Sequence, residues 1–171
     1  AVYHQTMPTL TLEDRITLDL GGRAVEVVHP GRGNTSGDVV VYLPKERVLA
    51  TGDLLVSPVP FTFDGYPTDW IRTLKTIRQW PADAIVPGHG AVMRDTAYLD
   101  RVVTLMQTVV DQVDAQLRAN TEATIDEVKK GMDLAAQRAV FAGEDLQRGA
   151  NFDSTIAGRL VTIVYYELKQ R

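Results

Sequence analysis

With 171 residues, 44% of them hydrophobic and 23% charged, the chain has side chains enough for one domain with a real core, and its composition argues against wholesale disorder. A formal net charge of −4 without any Lys/Arg cluster disfavours nucleic acid or an anionic membrane as partner. The absence of cysteine excludes disulfides, thiolate metal ligands and a cysteine nucleophile within this sequence, and no apolar run is long enough to span a bilayer.

The start, Ala1-Val2-Tyr3-His4-Gln5, is neither an initiator methionine nor a signal peptide, and it reads as the middle of a longer polypeptide. That leaves localisation open between cytoplasm and periplasm, for a soluble protein in either case. Residues 1–8 are polar and end in Met7-Pro8, the pattern of an irregular arm. Thr9 to Glu13 alternates apolar and polar, as does Ile16 to Leu20, so both are expected to be half-buried strands. Gly21-Gly22 signals a hairpin, and Ala24 to Val28 is its returning strand. A glycine-rich loop, Gly31-Arg32-Gly33-Asn34-Thr35-Ser36-Gly37-Asp38, leads into an apolar run over Val39 to Leu43. The chain turns at Pro44-Lys45-Glu46-Arg47, and Val48-Leu49-Ala50-Thr51 ends on Gly52-Asp53. Five strands, mostly antiparallel, are therefore expected by residue 53.

A loop of prolines and aromatics follows, from Ser57 to Tyr66. A helix begins near Pro67, with Thr68 as its expected N-cap and Trp70, Ile71, Leu74 and Ile77 on one face. Trp80-Pro81 stops it, and Ala84-Ile85-Val86 is a short strand breaking into Pro87-Gly88-His89-Gly90. The remainder reads as three helices. A long amphipathic one runs from Tyr98 to Leu117. A second opens on the capping-box spacing of Thr124 and Glu127 and carries Val128, Met132, Leu134 and Ala135. A break at Gly143 and Gly149 precedes the last, bearing Ile156, Leu160, Ile163, Val164 and Leu168. The shift from strands and glycine loops to plain helices near residue 95 divides the chain into 1–95 and a helical extension, 96–171, packing on it.

Zinc chemistry wants imidazole nitrogen and carboxylate oxygen converging from several loops, with one position left for water. The chain has three histidines, His4, His29 and His89. His89 stands out because Pro-Gly-His-Gly is a tight strand-end turn that exposes its side chain, although a loop histidine with no task fits the same pattern. Asp53 likewise reads either as a site residue or as a carboxylate bonding the amides of its own turn. His29, before Pro30 at a strand end, reads as structural. Phe61 and Phe63 follow the site loop closely enough to wall a substrate pocket. Arg32 and Lys45 read either as a lure for a substrate carboxylate or, more commonly, as isolated surface charges, and the acidic residues of the tail helices are solvated faces.

Taken together, the ordered series of strand, Gly31-to-Asp38 loop, strand, turn, Thr51-Gly52-Asp53, helix and Pro87-Gly88-His89-Gly90 resembles the C-terminal half of the metallo-β-lactamase superfamily, zinc hydrolases of αββα fold. The resemblance covers residues 9–95, and the helical tail is similar to an extension that some members carry. It implies an α/β fold: half of an αββα sandwich, mostly antiparallel sheet plus helices, with a C-terminal three-helix extension. Asp53 falls where the family places its metal-bridging acidic ligand, which also orients the nucleophile, and His89 where it places the last histidine of the second metal. Gly33-Asn34-Thr35 stands where the family has glycine-His-Thr, so Asn34 occupies the place of a histidine of the first metal. Three roles stay open for Asn34: a degraded ligand in weak metal contact, a substrate-contacting residue, and a plain turn residue tolerant in φ.

The family's His-x-His-x-Asp-His motif does not occur in this sequence. Asp53 and His89 are two ligands where a catalytic zinc site needs three, so this chain is expected to hold one ion or none by itself and to be inactive alone. In an intact or complemented protein, the resemblance implies a metal-bound hydroxide attacking an ester, thioester or lactam-type bond of a small-molecule substrate. The alternative is a non-catalytic half-domain acting as an oligomeric assembly or binding module. Either way, half a sandwich leaves an apolar sheet face to cover, by a missing N-terminal half, by a second copy in a homo-oligomer, or by the helical tail. A homo-oligomer is the expectation, with exchanged segments as one low-cost way to form it.

Overall fold

The computed structural model describes residues 9–170, so the arm over residues 1–8, with His4, lies outside the described residues. Five strands form one sheet in sequence order: β1 (Arg15–Asp19), β2 (Ala24–Val28), β3 (Val40–Leu43), β4 (Val48–Val56) and β5 (Ala84–His89). The first four pair antiparallel, and β5 joins β4 in parallel after a crossover through helix α1 (Pro67–Ile77). A parallel neighbour needs such a crossover, because a hairpin reverses direction. The β1–β2 hairpin turns at the expected Gly21-Gly22, with the Gly22 amide donating to Asp19 Oδ1 at 2.7 Å.

Three expectations need correction. Thr9 to Glu13 alternates like a strand but forms none, and Leu10 is 64% exposed. An alternating pattern makes a strand only where a neighbour accepts its backbone hydrogen bonds, and β1 is the edge of the sheet. Four strands, not five, precede the loop after residue 56, and the fifth comes from residues 84–89. Thr68 does not cap α1: Pro67 takes a first-turn position with Tyr66 before it, and the Thr68 hydroxyl donates to Glu167 near the end of the chain. Proline suits that position because its missing N–H would have had no helical partner.

Alternation along the strands sorts residues between the two faces of the sheet. Val28, Val40, Tyr42 and Leu49 are buried in one core with Leu74 and Ile77 of α1. The Tyr42 ring lies 5.5 Å from that of Trp80, and its hydroxyl donates to the Pro81 carbonyl at 2.8 Å. Residues of opposite parity, Ile16, Val27, Val41, Ala50 and Val86, are cross-strand partners in one row through all five strands. They are half-buried, or exposed in the case of Val86.

The same core continues into the helical part. Helix α2 (Ala97–Ala119) contributes Val102, Leu105, Met106, Val109 and Val113, all buried, and is tied to α1 by the Arg78–Asp100 ion pair at 2.5 Å. That guanidinium holds the Asp100 carboxyl below its ordinary range. The capping box forms at α3 (Ile125–Lys130), where the Thr124 amide donates to Glu127 Oε2 at 2.8 Å and the Glu127 amide to Thr124 Oγ1 at 3.3 Å. Gly131 ends α3 after six residues, and Leu134 to Ala135 opens a separate helix, α4 (Ala135–Ala142). The last stretch is one rod: α5 (Leu146–Phe152), a π-helical segment (Asp153–Leu160) and α6 (Val161–Lys169). Gly149 therefore lies inside a helix instead of breaking it. Phe152, Ile156, Leu160 and Val164, four residues apart, are the buried stripe that holds this rod in the core.

Candidate functional site

Asp53 and His89 come together at the carboxyl ends of the parallel pair β4 and β5, where open α/β sheets place their binding crevices. The expectation that β4 stops at Asp53 is not met, since the strand runs on to Val56. Its register against β5 shifts between Ala50 and Gly52 and again between Gly52 and Val56. Gly52 sits at φ +53°, a left-handed conformation that glycine adopts at little cost. A local irregularity of this kind re-aims a side chain within a continuing strand. Here it leaves the Asp53 carboxylate beside β5, with Oδ1 3.6 Å from His89 Nε2. That separation is longer than a hydrogen bond, so neither group is consumed by the other.

Two neighbours fix the pair. A Cβ on Gly88 would stand 2.0 Å from Asp53 Oδ1 and 2.8–2.9 Å from the backbone of Gly52 and Asp53, so the carboxylate occupies room that any side chain would take. The Ser57 amide donates to the His89 carbonyl at 3.0 Å and holds the end of β5 to the chain leaving β4. His89 is 70% exposed at its side chain and Asp53 36%, so both side chains reach solvent.

Asn34 is elsewhere in the geometry. It is 1% exposed, and its amide is spent on backbone groups. Nδ2 donates to the Asp53 carbonyl at 3.3 Å and the Phe61 carbonyl at 3.1 Å, and Oδ1 accepts from the Phe63 amide at 2.8 Å. It staples the glycine-rich loop to β4 and to the aromatic loop. Asn34→Ala should destabilise the fold by about 1–3 kcal/mol, because the Phe63 amide loses its partner in a part-buried setting. Urea unfolding with an unchanged midpoint would contradict this role.

His29 Nδ1 donates to the Asp38 carbonyl at 2.7 Å and stays out of the pair. Arg32 pairs with Asp69 and lies over the Tyr66 ring, 4.4 Å from its centroid. Among the described residues no group of three or more His, Asp or Glu converges on a point. Two donors fall short of the three that a catalytic zinc site requires, so the described residues do not by themselves fit the metal that the resemblance implies.

The pair opens on a cleft of about 580 Å³. Phe61 and Phe63, edge to face with centroids 4.9 Å apart, form part of its wall, as the sequence suggested. The other side was not foreseen. Asn151, Ser154 and Thr155 of the helical rod also line the cleft. Their three-and-four spacing on the polar side of a buried stripe is visible in the sequence, but what they face is not.

A family model described as the metallo-beta-lactamase superfamily matches residues 5–89. The metallo-beta-lactamase type 2 of Bacillus cereus is 32% identical over 91 residues, which make up 50% of this chain and 36% of that protein. The solved metallo-beta-lactamase from Pontibacter korlensis aligns with a TM-score of 0.54 at 32% identity, over 60% of this chain and 50% of that one. A metallo-beta-lactamase family protein from Thermus thermophilus aligns with a TM-score of 0.66 over 98% of this chain and 51% of its own. At 20% identity that last likeness speaks for the fold alone, and it takes in the helical extension. The match thus spans about a third of the Bacillus protein's length and about half of each solved chain.

Proposed function

Because the chain belongs to the metallo-β-lactamase superfamily, with the mixed sheet of a half-sandwich and its C-terminal helices, we propose that it forms one side of a metallohydrolase site. Asp53 and His89 are its metal donors, and zinc is the metal they suit. The remaining donors come from outside the described residues, on a preceding segment or another chain. The substrate is a small molecule with an ester, thioester or lactam-type bond. The observation that carries this reading is the 3.6 Å approach of a half-buried carboxylate and an exposed imidazole that together line one cleft. A carboxylate that accepts no hydrogen bond among the described residues, in room kept by a glycine that cannot be enlarged, is what a ligand needs and a turn does not.

The test is a zinc titration against a chromophoric chelator. Residues 1–171 alone should surrender zinc to the chelator and hydrolyse neither a chromogenic ester nor a chromogenic lactam. The same chain joined to a segment that supplies further histidine donors should retain zinc and turn over one of them. Tight zinc in the isolated chain would show that the site is complete as it stands, and a completed protein without zinc or turnover would sink the enzyme reading. A second reading, a non-catalytic half-domain, is favoured by the open row of Ile16, Val27, Val41, Ala50 and Val86. A metal-free, inactive dimer with this face covered, seen by sedimentation and hydrogen exchange, would support it.

A further inference from the structure

The loop that carries Phe61 and Phe63 is clamped by two separate elements. From the glycine-rich loop, Asn34 takes the Phe61 carbonyl and the Phe63 amide. From the helical rod, Thr155 Oγ1 donates to the Pro60 carbonyl at 3.2 Å, and Arg159 Nε donates to the Phe63 carbonyl at 3.0 Å. Thr62, fully buried between the two phenylalanines in sequence, donates its hydroxyl to the Thr155 carbonyl at 3.4 Å. Thr155 and Arg159 belong to the π-helical segment Asp153–Leu160, a rare geometry that recurs at functional sites. Each residue from Pro60 to Phe63 is thus bonded to another element.

The clamps hold apolar surface in water. Phe63 is 46% exposed and Phe61 half-buried. A free loop with two phenyl rings would turn them inward, since water drives apolar surface out of contact with itself. Here the rings stay out, edge to face at 75°. With Val56, Pro58 and Val59 they line the cleft that Asp53 and His89 also line. A concave apolar surface beside a few polar groups is the ordinary form of a small-molecule site. Because folding has already ordered the loop, a ligand does not bear that cost. An edge-to-face pair also accepts a third ring, face-on or edge-on, and such ring contacts add to what burial alone supplies.

We propose that Phe61 and Phe63 are a preset aromatic platform that selects substrates bearing an aromatic ring, and that the helical rod, through Thr155 and Arg159, keeps it preset. The substrate's ring lies against Phe63, with Phe61 behind it. The helical extension then acts on specificity through the loop it holds, as well as through the core it fills. The proposal rests on the cleft being the substrate site of the metallohydrolase reading, but its test needs neither metal nor turnover.

Benzamide and cyclohexanecarboxamide are both uncharged, carry the same amide and differ in the ring. Burial alone favours the saturated ring, which water solvates less well. Each is titrated into the ¹⁵N-labelled full chain and followed by amide chemical shifts. Benzamide should move the signals of Phe61, Thr62 and Phe63 and bind at least about twofold more tightly than its saturated counterpart, the worth of one ring contact. Phe63→Leu keeps an apolar side chain and should equalise or reverse the two affinities. Arg159 does not line the cleft, and Arg159→Met removes the donor to the Phe63 carbonyl. It should weaken benzamide at least about twofold, because the ligand then has to order the loop. Equal or tighter binding of the saturated ring, shifts confined to another surface, or no benzamide binding at millimolar concentration would each overturn the proposal. A preference that survives Phe63→Leu would overturn the platform, and an unchanged benzamide affinity in Arg159→Met the part given to the rod. Failure of the zinc titration, by contrast, tells against the metal pair and leaves these shifts unaffected.

Discussion

Asp53→Ala should remove tightly held zinc and lower kcat/KM on the order of 10³-fold in any form of the protein that is active, since losing a metal's charge from a site costs several kcal/mol of barrier. His89→Ala should do the same. The more telling variant is Gly88→Ala, which removes no donor. Its new Cβ would fall 2.0 Å from Asp53 Oδ1 and under 3 Å from the Gly52 and Asp53 backbone. Backbone cannot step aside as a flexible side chain does, so the carboxylate has to swing away from His89 or β4 and β5 have to part. Zinc loss and activity loss in Gly88→Ala should approach those of Asp53→Ala, with a stability cost of about 1–3 kcal/mol from overpacking. Metal content, turnover and thermal unfolding on the three variants check this. If Gly88→Ala kept full zinc and activity, the close approach of the two strands would not be what holds the pair.

Local chemistry in the sequence located the pair but not its setting. Gly21-Gly22, the capping box at Thr124 and the α1 face of Trp70, Leu74 and Ile77 were legible because in each the successive residues are no more than four positions apart. Thr9 to Glu13 misled because alternation records a preference for strand and says nothing of a partner. Asp53 looked like a strand terminus because Gly52-Asp53 is good turn chemistry, yet β4 absorbs the glycine as an irregularity and continues. Asn34 carried the most ambiguity. Its burial, and its bonds to Phe61 and Phe63 nearly thirty residues away, come from tertiary packing that no spacing rule encodes. The far wall of the cleft was invisible for the same reason. Thr155 reaches Pro60 across 95 positions, and a polar helix face looks alike whether it meets water or substrate.

Trp70→Ala should be the most destabilising single change in the neighbourhood of the site, by about 3–5 kcal/mol. The indole is 1% exposed and belongs to the shared core, so its removal leaves a cavity bounded by packed strands and helices. Its Nε1 also donates to the Leu54 carbonyl at 3.2 Å, one residue past Asp53. The same ring lies against both loops that shape the site. A Cβ on Gly33 would stand 3.2 Å from Trp70 Cδ1, and one on Gly65 3.3 Å from Cε3 and Cζ3. The loops are joined there, with the Tyr66 amide donating to the Gly33 carbonyl at 2.8 Å. Trp70 therefore couples the stability of α1 to the placement of β4, the glycine-rich loop and the aromatic loop at once. Trp70→Phe separates the two contributions, because it keeps much of the volume and loses the hydrogen bond. It should cost about 1–3 kcal/mol, well short of the alanine variant. Urea midpoints read both changes, and hydrogen exchange at Leu54, Phe61 and Phe63 reads the coupling. Protection lost at those amides in Trp70→Phe, with the global midpoint only modestly lowered, is the expected signature. An alanine variant no less stable than the phenylalanine one would mean that the cavity collapses freely, and that the loops are held by Asn34 and the helical rod without the indole.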